Sequence, residues 1–167
     1  MPKPLTQIIN EVIKRETVDG EPTDFPNDPG RRTQYGISEK ANPEAWADGK
    51  VTKEEAENIY RLKYIEGPRF DTLPEGRFQE FLVDYGVLSG PSYAISKLQE
   101  ILGVKADGIL GPITLAALTR RDLNEVRDRM IDNRILGLVR IVQKRPYQLE
   151  DLFGWIRRTL EFRCYND

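Results

Sequence analysis

Acid and base chemistry in this chain must come from carboxylates, lysine or tyrosine, because histidine is absent and Cys164 is the only cysteine. Disulfide frameworks, Cys/His zinc sites, serine-histidine triads and cysteine-histidine pairs each lack a required member. The expectation is a site with no metal and no cofactor. Among the carboxylates Glu16 stands apart, because it closes the stretch "LTQIINEVIKRE", in which Leu5, Ile8, Ile9, Val12 and Ile13 fall on one helical stripe. At about 100° per residue Glu16 projects onto the middle of that stripe, away from the solvent-side Lys14 and Arg15. A carboxyl in an apolar setting keeps its proton to higher pH, which is what a glycosidase needs in the group that protonates a departing sugar oxygen. Arg15 would pull the other way. The structural alternative is an ion pair between Glu16 and one of the arginines, fixing how the helix meets the next segment.

Such an acid needs a second group to hold or activate water, or to steady positive charge on the sugar ring. The segment "RETVDGEPTDFPNDPGRRTQYGIS", residues 15–38, offers Asp24, Asp28, Thr33 and Tyr35. Each also has a structural role: Asp28 opens the turn "NDPG", and threonine is common in strands. Arg31 and Arg32 are either contacts for carboxylates of a substrate or neutralising partners for Glu21, Asp24 and Asp28. Tyr35 is a candidate for stacking on a sugar ring; Trp46, Tyr60, Tyr64 and Tyr85 sit at spacings more typical of a core.

The elements around these residues follow from local signals. Glycines and prolines from Val18 to Ser38 exclude a long helix, and "RRTQYGIS" after "NDPG" reads as a short strand of a small, irregular β-hairpin. Everything beyond is helical. "VTKEEAENIYRLKYI" carries a capping box from Thr52 to Glu55 and places Ala56, Ile59, Tyr60 and Lys63 on one side. "GRFQEFLVDYGVLSG" ends at Gly90, and "PSYAISKLQEILGV" opens at Pro91 and closes at Gly103. "DGILGPITLAAL" turns into a short helix at Pro112. A long helix from Arg121 carries Leu123, Val126, Met130 and Ile131 inward, and after Pro146 a last helix carries Leu152, Trp155, Ile156 and Leu160. The fold class is α+β and predominantly α-helical.

At 167 residues, 39% hydrophobic and 31% charged, the chain has the size and apolar content of one domain. The expectation is a single domain over 1–167, with 1–90 holding the first helix, the hairpin and the helices after it, and 91–167 a helical lobe. A net charge of -2 gives no support to nucleic acid as a partner. The N-terminus has no signal-peptide pattern and no apolar run approaches the roughly 20 residues that span a bilayer. A monomer made in a cytoplasm, without membrane insertion, is expected.

The order Glu at a helix end, then Asp-Pro-Gly, then Thr-x-Tyr-Gly-Ile-Ser resembles glycoside hydrolase family 108, the lysozyme-like N-acetylmuramidases of phage endolysins and bacteria. The family motif runs approximately E-G-G-Y-x5-D-P-G-G-x-T-x-Y-G-I-T. Here Glu16, Asp28, Pro29, Gly30, Thr33, Tyr35, Gly36, Ile37 and Ser38 match it. Thr17 and Val18 replace two glycines, Arg31 replaces a third, and the Glu16 to Asp28 spacing is about three residues longer. Downstream, "FLVDYGVLSGPSYAISKLQEILGV" and "DGILGPITLAAL" resemble further family segments, the last of them like a peptidoglycan-binding region. The resemblance implies a lysozyme-like fold and a cleft with Glu16 as general acid, faced by Thr33 and Asp28. It implies peptidoglycan as substrate, cut at the β-1,4 bond between N-acetylmuramic acid and N-acetylglucosamine, and access to the periplasmic wall through a holin or as part of a virion. Two other functions stay open at this point: a lytic transglycosylase, and a wall-binding or structural protein without catalysis, which the altered loop would favour.

Overall fold

The computed structural model describes residues 3–16, 20–24 and 32–163. The chain falls into two compact units, one spanning Lys3–Asp71 and the other running from Thr72 onward. Among the described residues no helix is long and apolar enough to cross a membrane.

The first unit begins with α1, Leu5–Glu16, whose buried residues Ile8, Ile9, Val12 and Ile13 are the stripe seen in the sequence. Pro4 sits just ahead of it and its carbonyl accepts from two N–H groups of the first turn, those of Gln7 (2.9 Å) and Ile8 (3.2 Å). Two short antiparallel strands follow, β1 (Thr33–Gln34) and β2 (Ile37–Ser38), with Thr33 opposite Ser38 and Gln34 opposite Ile37. The segment expected to be one strand is therefore a complete hairpin. Its two-residue turn is Tyr35-Gly36, with φ of 51° and 75°. Positive φ at both central residues marks the turn type whose twist matches that of the flanking strands. Thr23 adds a bridge to Thr33 by reciprocal backbone bonds of 2.8 and 2.9 Å.

A 3-10 turn at Pro43–Trp46 leads to α2, Lys53–Arg61, which packs on α1. The capping box forms as expected: the Thr52 hydroxyl accepts from the Glu55 N–H at 3.2 Å, and the Glu55 carboxylate accepts from the Thr52 N–H at 2.8 Å. After Arg61 the helix widens into a π-helical turn, Leu62–Glu66, closed by the Gly67 N–H on the Leu62 carbonyl (2.9 Å). The wider turn shifts the helical register. Lys63, expected on the inner side, is exposed; Tyr64 is half-buried and Ile65 buried.

In the second unit α3 (Arg77–Ser89) is buried continuously from Phe78 to Gly86 and packs on α4 (Pro91–Leu102) and α6 (Leu123–Lys144). Gly103 ends α4 in the left-handed conformation, φ 74°. α5 runs Pro112–Leu118. α6 starts two residues beyond the sequence estimate because the Asp122 side chain accepts from the Asn124 N–H at 2.8 Å and the Glu125 N–H at 3.4 Å, and so caps it. α7, Leu149–Leu160, packs on α6; its expected stripe of Leu152, Trp155, Ile156 and Leu160 is half-buried, and Thr159 is its buried residue.

The motif "DGILGPIT" is organised from inside by Gln99 of α4, 1% exposed. Its amide N–H2 donates to Asp107 (2.8 Å), to the Ile109 carbonyl (3.0 Å) and to Thr114 (3.0 Å), and its carbonyl accepts from the Gly108 N–H (2.9 Å). These bonds account for the aspartate, the glycine and the threonine as parts of a turn leading into α5.

Candidate functional site

Glu16 is the last residue of α1 and is half-buried. Its position is set by the hairpin turn. A Cβ at Gly36 would fall on the Tyr60 hydroxyl and 3.0 Å from the Cβ of Glu16, so the bare backbone of Gly36 is wedged between the carboxylate's stem and the phenol. Glycine is required there twice over, by this close approach and by the left-handed φ. The buried Tyr60 donates from its hydroxyl to the Tyr35 carbonyl (3.3 Å), which holds the turn down on α2. Tyr35 itself is a non-glycine residue in the left-handed region, a conformation that costs about 1–2 kcal/mol. Its ring lies against Gly20, where a Cβ would come 3.0 Å from the ring and from the hydroxyl.

One turn beyond Tyr60, Tyr64 stacks at a tilt on it, centroids 5.5 Å apart. Burial raises the Tyr64 phenol above its ordinary value, and the nearby charge of Glu16 adds to that rise. Tyr64 is thus the neutral neighbour of the Glu16 carboxylate. Earlier on α1, burial would raise Glu11, but the hydrogen bond and charge of Lys3, 2.7 Å away, outweigh it and leave its carboxyl below the usual range; Arg15 contributes to that lowering.

The other residues singled out in the sequence are placed as follows. Thr33 opens β1, half-buried, two residues before Tyr35. Arg32 faces Glu39, with Nε–Oε2 and Nη2–Oε1 both 3.1 Å, donates to the Gly49 carbonyl (3.2 Å) and lies 4.9 Å from the centroid of the Trp46 ring. Its main partner is therefore Glu39, just past the end of β2, with Asp24 contributing only a weaker attraction. Trp46 is buried and donates to the Ile37 carbonyl (3.2 Å), and Gln34 ties Gly20 (2.9 Å) to Val51 (2.8 Å). Asp28 and Arg31 lie outside the described residues, as do the substituted positions Thr17 and Val18. A cavity of about 440 Å³ in this unit lies elsewhere, lined by Asn42, Glu55, Asn58 and Lys63 among others, and neither Glu16 nor Thr33 borders it.

Residues 9–90 match the family model described as "Glycosyl hydrolase 108", and residues 93–160 match one described as "Predicted Peptidoglycan domain". The chain belongs to the glycosyl hydrolase 108 family. Among solved structures it is similar to one titled "Structure of Brucella abortus SagA", with 28% identity, a TM-score of 0.69, and coverage of 96% of this chain and 95% of that one. No curated protein matches it. The glycosyl hydrolase 108 match takes in Glu16, the hairpin, α2 and the two tyrosines, so the whole corner just described belongs to the glycosidase part. Together the two models make this a peptidoglycan hydrolase with a lysozyme-like, mainly helical α+β fold.

Two features escaped the sequence, one in this corner and one in the second unit. Tyr64 carries no signal beyond its four-residue spacing from Tyr60, which any core pair shares. The buried charge cluster of the second unit was missed too. Asp84, 1% exposed, accepts from Nη1 of Arg134 (3.3 Å) and from Nε and Nη2 of Arg158 (3.0 and 2.9 Å). A carboxylate inside the apolar run "FLVDYGVL" was the available clue.

Proposed function

We propose that this glycosyl hydrolase is a lysozyme-type N-acetylmuramidase that cleaves the β-1,4 bond between N-acetylmuramic acid and N-acetylglucosamine, with Glu16 as general acid. The observation that carries this reading is the wedge of Gly36 between Glu16 and Tyr60: the hairpin bearing the family motif and the helix end bearing the acid are fixed against each other. In the reaction the Glu16 proton passes to the leaving sugar oxygen as the glycosidic bond lengthens and positive charge develops on the ring. The Tyr64 phenol, held in its neutral form, sits beside the carboxylate left behind. Thr33 and Asp28 take the family's role on the opposite side, orienting water, and Tyr35 is assigned to sugar contact. Arg32, engaged by Glu39, Gly49 and Trp46, is assigned to holding the hairpin rather than to the substrate. As a phage endolysin or virion component the enzyme would meet the wall through a holin or with the particle.

The test is mass spectrometry of muropeptides released from purified wall. Reducing-end N-acetylmuramic acid is the expected product. Products bearing only anhydro ends would make the enzyme a lytic transglycosylase, and binding without release would make it a wall-binding protein. Equal release by wild type and Glu16→Gln would move the acid elsewhere, first to Glu21.

A further inference from the structure

Along α6, Arg134, Gly137 and Lys144 recur on one stripe, and with Arg140, Tyr85 of α3 and Tyr93 of α4 they border a cavity of about 240 Å³. Its charge is positive. Arg140 and Lys144 are exposed and make no ion pair with the described residues. Arg134 meets the carboxylate of Asp84, which Arg158 also meets. Glu100, whose charge reaches Tyr85, is held by Lys97 at 2.7 Å; the same ammonium lies 5.3 Å from the Tyr93 ring.

Tyr85 gives the cavity a built polar contact. It is 4% exposed, with the Arg134 guanidinium 4.7 Å from its ring centroid and Tyr93 edge-on at 6.2 Å. Its hydroxyl has no hydrogen-bond partner among the described residues. Nε of Arg134, on the same lining, is buried with no hydrogen-bond partner among the described residues, and such a donor is costly and rare. Burial and the neighbouring Tyr93 push this phenol up to about 12 against the pull of Arg134, so it remains a donor throughout the neutral range. Gly137 supplies the room. It stands in the middle of a 22-residue helix, where glycine is a poor choice, yet a Cβ there would meet nothing within 4 Å. No neighbour within the chain requires the missing side chain.

We propose that this cavity is a carboxylate subsite for the peptide part of peptidoglycan, seating one carboxylate of an acidic stem peptide against the Tyr85 hydroxyl and between Arg140 and Lys144. The inference rests on the reading of the chain as a peptidoglycan hydrolase and adds where the peptide is recognised. A cavity this small suits a single amino-acid-sized group rather than a disaccharide, and a neutral sugar would leave the cations unanswered.

The test titrates the full chain, followed by NMR, with L-Ala-γ-D-Glu-L-Lys and with the same peptide carrying carboxamides in place of its carboxylates. The acid peptide is expected to shift resonances of α6 and of Tyr85, and the amidated peptide to bind at least about tenfold more weakly. Tyr85→Phe, which breaks no internal hydrogen bond, and Arg140→Gln/Lys144→Gln should each weaken the acid peptide by a similar factor. Gly137→Ala should weaken it while leaving Tm unchanged or raised. Equal binding of both peptides, or shifts confined to other surfaces, overturns the proposal. So does inorganic phosphate displacing the peptide at equal concentration, which would mark a general anion site. Cleavage of peptide-free glycan strands by the wild type is measured separately. Cleavage without peptide binding sinks this inference alone, whereas peptide binding without cleavage of any wall preparation sinks the hydrolase reading.

Discussion

Glu16 and Asp84 are both carboxylates on apolar stretches of helix, yet their surroundings differ in kind. Asp84 lies within α3, sealed from water, with two guanidiniums on its oxygens. Glu16 lies at the end of α1, half-buried, with a glycine backbone against its stem and a tyrosine near its charge. Burial alone therefore does not separate a structural carboxylate from the one proposed as the acid. Two arginines occupy the oxygens of Asp84, whose work is to join α3, α6 and α7. A neutral phenol and a tight turn leave Glu16 positioned and chemically addressable.

That contrast can be broken by exchanging which property each mutation moves. Asp84→Asn leaves the buried guanidinium of Arg134 poorly answered and should cost about 3–5 kcal/mol, read as a large fall in the denaturation midpoint. Activity per folded molecule should change little. If Asp84→Asn abolished activity at full stability instead, the division between structural and reactive carboxylates would fail.

Gly36→Ala should come next. The added Cβ meets Tyr60 and Glu16, and its left-handed backbone is strained by about 1–2 kcal/mol. Activity should fall by more than stability accounts for, because the turn presses on Glu16. Since the Tyr60 hydroxyl is the atom in the way, Gly36→Ala/Tyr60→Phe should recover part of the loss. Strict additivity in that double-mutant cycle would mean that the wedge does not position the acid.

A smaller effect sharpens the Glu16 side. The charge of Glu16 raises the Tyr64 phenol, so Glu16→Gln should lower it toward its ordinary value of 10.0, with the part due to burial remaining. A tyrosine-selective NMR titration reads this directly. No movement would separate the two groups.

The smallest effect concerns Asp107. The Gln99 side chain first, and the Ile109 N–H second, hold its carboxyl below its ordinary 3.8. A depressed carboxylate contributes stability that is present above the unfolded value and is lost as pH falls through the folded one. The Tm difference between wild type and Asp107→Asn should accordingly be constant at pH 5 to 7 and shrink below about pH 4. A difference that grew on acidification would contradict the hydrogen bonds drawn here.

Much of this architecture could be read locally. The apolar stripe of α1, the Thr52 capping box, Gly103 at the end of α4 and Pro112 at the start of α5 are signals carried by adjacent residues. What resisted was non-local or atypical. Tyrosine at positive φ is uncommon, so "QYGI" reads as a strand and hides the turn inside it. The π-turn after Arg61 breaks the 3.6-residue period, which is why Lys63 was placed inside. Asp84 finds partners 50 and 74 residues away, beyond any periodicity. Glu16 was legible because an acid closing an apolar stripe breaks the pattern at the point where the family motif begins; Tyr64 was not, because its importance comes only from what the folded chain brings beside it.

The central claim is that Glu16 is the general acid, and the most direct measurement is kcat/KM of Glu16→Gln on purified peptidoglycan across pH, with Tm recorded in parallel. The account predicts a loss of about 10²–10⁴-fold or more at unchanged Tm, together with disappearance of the limb on which the wild-type rate falls as the acid deprotonates. A variant that retains the wild-type rate and the wild-type pH profile would contradict it.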